Sequence, residues 1–165
     1  MDFEQALAES VLGLLRPELL PEICTTALME GRDSPSLAAL AGEPAATLDP
    51  IEARALFNAA VRELGLAIPS RRQAADLLVE RAAADALRGR RSPYEALSRI
   101  VREIYYASGS SELDAEYVGS FLGIERIVGL YWEYDELHEP WACSRTELDQ
   151  EALQALQAYL NSRAA

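Results

Sequence analysis

The sequence contains no lysine: all fifteen basic residues are arginine. Together with the abundant alanine, this reads as the codon composition of a GC-rich genome. Arginine chosen for two-pronged pairing with carboxylate or phosphate leaves the same trace in composition. There is one histidine, His138, so a di-iron bundle site, which needs two carboxylate-x-x-His units, is excluded. The two cysteines, Cys24 and Cys143, are far apart and form no CxxC unit. They are expected to be reduced thiols that pack as small apolar groups. No uninterrupted apolar run reaches the roughly 18 residues needed to cross a bilayer. The start, Met1-Asp2-Phe3-Glu4, lacks the basic and apolar regions of a secretory leader. No membrane association and a cytoplasmic location are the expectations that follow. Neither a P-loop nor a dinucleotide-binding glycine pattern is present.

Half of the 165 residues are hydrophobic, which argues for a packed core in spite of a formal charge of -12. A chain of this length falls within the roughly 100–200 residues of one domain. A single domain over residues 1–165 is therefore expected, with a softer subdivision near 67–71. Ala, Leu, Glu and Arg, all strong helix formers, fill the periodic stretches.

Helix boundaries are well marked. The first helix is expected over about Asp2–Leu15, and a second from Pro17 to Gly31. Ser34-Pro35 opens a short helix ending at Gly42. Asp49-Pro50 pairs a capping side chain with proline at the first helical position, where the missing N–H costs nothing. That helix runs to Leu64, with Gly65 as a left-handed cap. Another spans about Arg71–Arg88 before Gly89. Ser92-Pro93-Tyr94-Glu95 combines a cap, a proline and the glutamate of a capping box. After it, Leu97, Ile100, Val101, Ile104 and Tyr105 share one helical face, and Arg99, Arg102 and Glu103 the other. Leu153, Leu156, Tyr159 and Leu160 mark the face of a last helix over about Glu147–Asn161. Between these, 114–137 predicts two short helices broken near Gly123. Gly119-x-x-x-Gly123 is read as a close-packing motif. No segment alternates with the period of a half-buried strand. The expected fold is all-α, an irregular bundle of about six to eight helices.

Charge is unevenly placed. Residues 1–69 sum to -7, residues 70–103 to +3 and residues 104–165 to -8. Arg71, Arg72, Arg88, Arg90 and Arg91 in the basic segment are candidate phosphate contacts. They lie at opposite ends of one helix, however, and the last three complement its C-terminal dipole. The acidic whole also argues against nucleic acid, whose binding draws on phosphate neutralisation. An acidic surface instead steers basic proteins toward it.

The most unusual stretch runs from Leu130 to Trp141 and holds both tryptophans, the histidine and four acids. Asp135, His138 and Glu139, at i, i+3 and i+4, are weak candidates for a hard cation. Glu133 and Glu136 form a candidate acid–base pair if a cleft buries one of them. Cys143 with His138 is a weaker nucleophile–base pair, for lack of a third orienting group. Tyr131, Trp132, Asp135, Glu136, Glu139 and Trp141 are the candidate binding residues. Tyr and Trp supply large contact area at low entropic cost, and acids orient and steer. Trp132 and Trp141 can equally serve as core anchors whose N–H groups find local acceptors.

The segments Asp33–Gly42, Glu52–Phe57 and Glu63–Gly65, and Ser92–Ala96 with the apolar helix and acidic aromatic stretch behind it, resemble a group of bacterial all-helical proteins without assigned activity. The resemblance implies a small accessory protein and carries over no catalytic residues. The expected function is an acidic interaction module, an immunity- or antitoxin-like partner of a basic protein, with no cofactor. The alternatives are a metal-dependent or carboxylate-based hydrolase and a nucleic-acid-binding regulator. Homodimerisation is compatible with a small bundle rich in apolar residues.

Overall fold

A computed structural model describes residues 1–109, 114, 117–137 and 144–163, and within them every regular element is helical. There are eight helices if the unbroken run 93–108 is counted once, so the all-α expectation holds. The described residues group into two compact units, 1–70 and 71–165. Among them, no helix is long and apolar enough to cross a membrane. Every buried side-chain polar atom described has a hydrogen-bond partner.

The first unit holds α1 (Phe3–Leu12), α2 (Leu20–Met29), α3 (Pro35–Gly42) and α4 (Pro50–Glu63). Asp2 caps α1 by accepting the Gln5 N–H at 2.8 Å. This helix stops at Leu12, short of the expected Leu15, because Gly13 turns left-handed (φ 75°) and its N–H closes the end on Glu9 and Ser10. Pro17 opens a single 3-10 turn, Pro17–Leu19, from which α2 continues. Ser34 and Asp49 cap α3 and α4 as their positions before proline require. The core is built on Phe3 and Phe57, whose ring centroids are 5.1 Å apart, with Leu20, Leu37 and Leu40 fully buried around them. Cys24 is buried in this cluster as a free thiol, and burial pushes its pKa up to about 11. It therefore packs as an apolar group, the role expected of it.

The second unit begins with α5 (Arg71–Leu87), which buries Ala74, Ala75, Ala82, Ala83 and Ala86 beside Leu78 and Val79. Small side chains on that face let the following helices approach closely. Next comes one continuous helix in three parts: α6 (Pro93–Ser98), a π-helical segment (Arg99–Tyr105) and α7 (Tyr106–Ser108). The expected apolar face is buried at all five positions. The π segment was not foreseen: periodicity reports which side chains face inward, not how the backbone carries an extra residue.

Two further expectations are corrected in this unit. Residues 117–123 form turns, not a short helix, and only α8 (Glu125–Asp135) is helical in that stretch. Gly119 explains the change. It sits at φ 89°, and an added Cβ would lie 3.0 Å from Ile124 Cγ1 and 3.2 Å from the Ile124 carbonyl carbon. Glycine is thus needed for a sharp, crowded turn that a helix does not make. The last helix, α9 (Arg145–Arg163), starts two residues earlier than expected. Ser144 accepts the Glu147 N–H, while the Glu147 carboxylate accepts the Ser144 N–H at 2.8 Å, a second capping box. The buried face of α9 is Leu148, Ala152, Leu156 and Tyr159, with Leu153 and Leu160 at its margins.

Candidate functional site

The unusual acidic aromatic stretch falls mainly on α8, where helical geometry sorts it into two faces. Ile127, Leu130, Tyr131 and Tyr134 point inward. Trp132, Asp135 and Glu136, at i, i+3 and i+4, share the outer face. Trp132 is 50% exposed, which is unusual for so large an apolar side chain. The aromatic groups behind it are held by packing. Tyr131 stacks on Tyr94 with centroids 6.3 Å apart, and Trp132 meets the Tyr131 ring edge-on at 5.1 Å. Tyr134 donates its hydroxyl to Asp149 at 2.6 Å and lies 5.2 Å from Tyr94. The Arg145 guanidinium caps this cluster, 4.9 Å from the Tyr134 ring and 5.4 Å from the Tyr94 ring.

Between α8 and the 93–108 helix runs an open groove of about 360 Å³. Tyr94, Val101, Arg102 and Tyr106 form one wall, and Tyr131, Trp132 and Asp135 the other. Val101 and Tyr131 are buried and make the floor, whereas Tyr106, 56% exposed, and Trp132 form the rims. Neither Arg102 nor Asp135 takes part in an ion pair among the described residues. The groove thus combines an aromatic lining with one charge of each sign, neither of them in an ion pair among the described residues. Arg102 and Val101 belong to the π segment and Tyr106 follows it directly. Such irregularities are frequent at binding sites because the inserted residue re-aims its neighbours.

Of the candidate binding residues, Trp132, Asp135 and Glu136 are exposed together, and Tyr131 serves as floor instead of as a free contact. Glu139, Trp141, His138 and Cys143 lie outside the described residues. Glu133 points away from the groove and pairs with Arg126 at 2.9 Å, so it does not converge with Glu136 on a shared cleft. Among the described residues, no three His, Cys, Asp or Glu side chains gather as metal ligands.

Three of the five arginines proposed as phosphate contacts make internal contacts. Arg71 donates to the Ala107 carbonyl, Arg72 lies 4.3 Å over the Phe121 ring and 3.5 Å from Asp76, and Arg90 pairs with Asp85 at 3.3 Å. A helix of 17 residues is roughly 25 Å long, which separates Arg71 and Arg72 from the other three.

Sequence reading missed Tyr94, Val101, Arg102 and Tyr106 as one wall of a groove. One signal was present: in the adjacent pair Tyr105-Tyr106 only one ring can face the core, so the other had to emerge at the surface.

A polar cluster forms at Tyr105, the last residue of the π segment. The Asp114 carboxylate accepts the Gly119 N–H at 2.8 Å, the Phe121 N–H at 2.9 Å, the Ser120 hydroxyl at 3.4 Å and the Tyr105 hydroxyl in a short bond. Partial burial acts to raise the Asp114 pKa, but the bonds from Tyr105, Phe121, Gly119 and Ser120 outweigh it and hold the pKa below its ordinary value. Tyr105 is pushed up to about 12, by burial first and by its bond to Asp114 second. These groups tie Asp114 and residues 119–121 to the end of the π segment, a structural role.

Fold and site together define an all-α protein carrying an aromatic surface groove edged by one charge of each sign. Comparison with protein families, curated proteins and solved structures finds no match for the chain.

Proposed function

We propose that this chain is an acidic protein-interaction module that binds a basic protein through the outer face of α8, in the manner of immunity and antitoxin proteins. The observation that carries this is Trp132, half-exposed beside the exposed carboxylates Asp135 and Glu136 and across from the exposed ring of Tyr106. A soluble fold that leaves tryptophan and tyrosine together at the surface forgoes their burial, on the order of 1.5–3 kcal/mol for a large apolar side chain. That cost is recovered when a partner covers them, and aromatic anchors are where interface energy concentrates. The charge of -8 over residues 104–165 supplies steering toward a basic surface. The internal contacts of Arg71, Arg72 and Arg90 do not favour nucleic acid.

The test is affinity capture from lysate on the tagged protein at low and moderate salt, with retained proteins identified by mass spectrometry. A basic protein is expected at stoichiometric levels, its affinity falling at least about tenfold when Trp132→Ala and Asp135→Ala are combined. Unchanged affinity of that variant, shown folded by circular dichroism, would remove α8 as the contact.

A further inference from the structure

We infer that the groove between α8 and the 93–108 helix receives a linear segment of the partner in which an apolar or aromatic side chain lies between a basic and an acidic residue. The basic residue faces Asp135 and the acidic one faces Arg102. This rests on the protein-binding function proposed above and gives it an orientation.

Three observations converge on that occupant. The groove, at about 360 Å³, lies at the small end of ligand-pocket sizes, so it suits one large side chain with its neighbouring backbone and not a whole helix. Its floor and rims, Val101 and Tyr131 below and Tyr106 and Trp132 above, are apolar and aromatic. Its two charges sit on opposite walls, Arg102 on the π segment and Asp135 on α8, and neither takes part in an ion pair among the described residues. A uniformly basic ligand would satisfy Asp135 and be repelled by Arg102. A ligand with opposite charges on either side of its apolar group satisfies both, and the charge-assisted bonds would fix its direction along the groove.

A phage-displayed library of random linear peptides panned on the full chain tests this. Enriched sequences are expected to share an aromatic or aliphatic residue flanked by opposite charges in a constant order. In a Trp141→Phe background, where Trp132 is the sole indole reporter, the synthetic consensus peptide should shift its fluorescence. Its affinity should fall at least about tenfold with Trp132→Ala or Tyr106→Ala. The decisive variant swaps the charges, Arg102→Asp with Asp135→Arg, which leaves net charge unchanged and alters only exposed side chains. Panning on it should enrich the reversed charge order.

Enriched peptides indifferent to the swap, yet lost with Trp132→Ala and Asp135→Ala, would overturn the oriented groove and leave α8 as a binding face. Peptides unaffected by any of these substitutions would overturn both. A consensus without opposed charges would defeat the inference alone.

Discussion

Asp114 shows how much one side chain can organise. Its carboxylate accepts bonds from two backbone N–H groups and two hydroxyls, and those partners span residues 105 to 121. Bonds to a charged group contribute more than neutral ones, so Asp114→Ala should cost about 2 kcal/mol in a urea titration at pH 6, allowing for its partial exposure. The pH dependence follows from the direction of the shifts. A folded pKa lowered from 3.8 means that the Asp114 contribution is fully present above about pH 4 and is lost as pH falls through the lowered value. The stability gap between wild type and Asp114→Ala should therefore narrow as the pH is lowered below about 4. Tyr105 acts at the other end. With its pKa pushed up to about 12 from 10.0, its contribution is intact below pH 10 and is lost as pH rises through about 12. A gap that stays constant across the acid range would show that the carboxylate is not the anchor. None of this was legible in the sequence, because Asp114 has no periodic relation to partners five to nine residues away.

The helices, by contrast, were written largely in their termini. Ser34, Asp49 and Ser92 each stand before a proline and each caps the helix that follows. Ser92 and Glu95 form the full reciprocal box, and Ser144 with Glu147 repeats it at α9. Ser92→Ala and Ser144→Ala should each cost about 1 kcal/mol, read as a lower urea midpoint at unchanged slope. A cost below a few tenths at both sites would mean that packing alone sets these boundaries. Where residues obeyed a local rule, the elements could be read off directly. Where an element depends on what packs over it, as with the turns at 117–123, apolar spacing suggested a helix that Gly119 and the bonds to Asp114 prevent. The π segment belongs to the same class. The same five apolar positions are buried, but the inserted residue changes where Arg102 and Tyr106 emerge.

At the scale of the molecule, the two units each carry a buried core, and the cluster around Phe3 and Phe57 lies wholly within residues 1–70. Fragments 1–70 and 71–165 should each show helical circular dichroism with a cooperative thermal transition. The shorter one should be marginal, at no more than about 3–5 kcal/mol, because a chain of so few residues buries a smaller fraction of its surface than a larger domain does. Two random-coil spectra would show that neither core is sufficient alone. The charge pattern operates at this scale too, since a surface field steers encounter and is screened within about 10 Å at moderate salt.

The sequence by itself determined the helical class, most helix boundaries, the buried faces of the 93–108 helix and the singular character of the stretch around Trp132. These follow from short-range rules of capping and period that each residue obeys with its near neighbours. Only the tertiary structure decided that Trp132 faces outward, that Tyr94, Arg102 and Tyr106 stand across from it, that Glu133 is diverted to Arg126, and that Asp114 binds Tyr105 and the turn at 119–121. Those outcomes depend on which helices pack together and at what rotation. Rotation is set by the fit of many side chains at once, which no local pattern encodes.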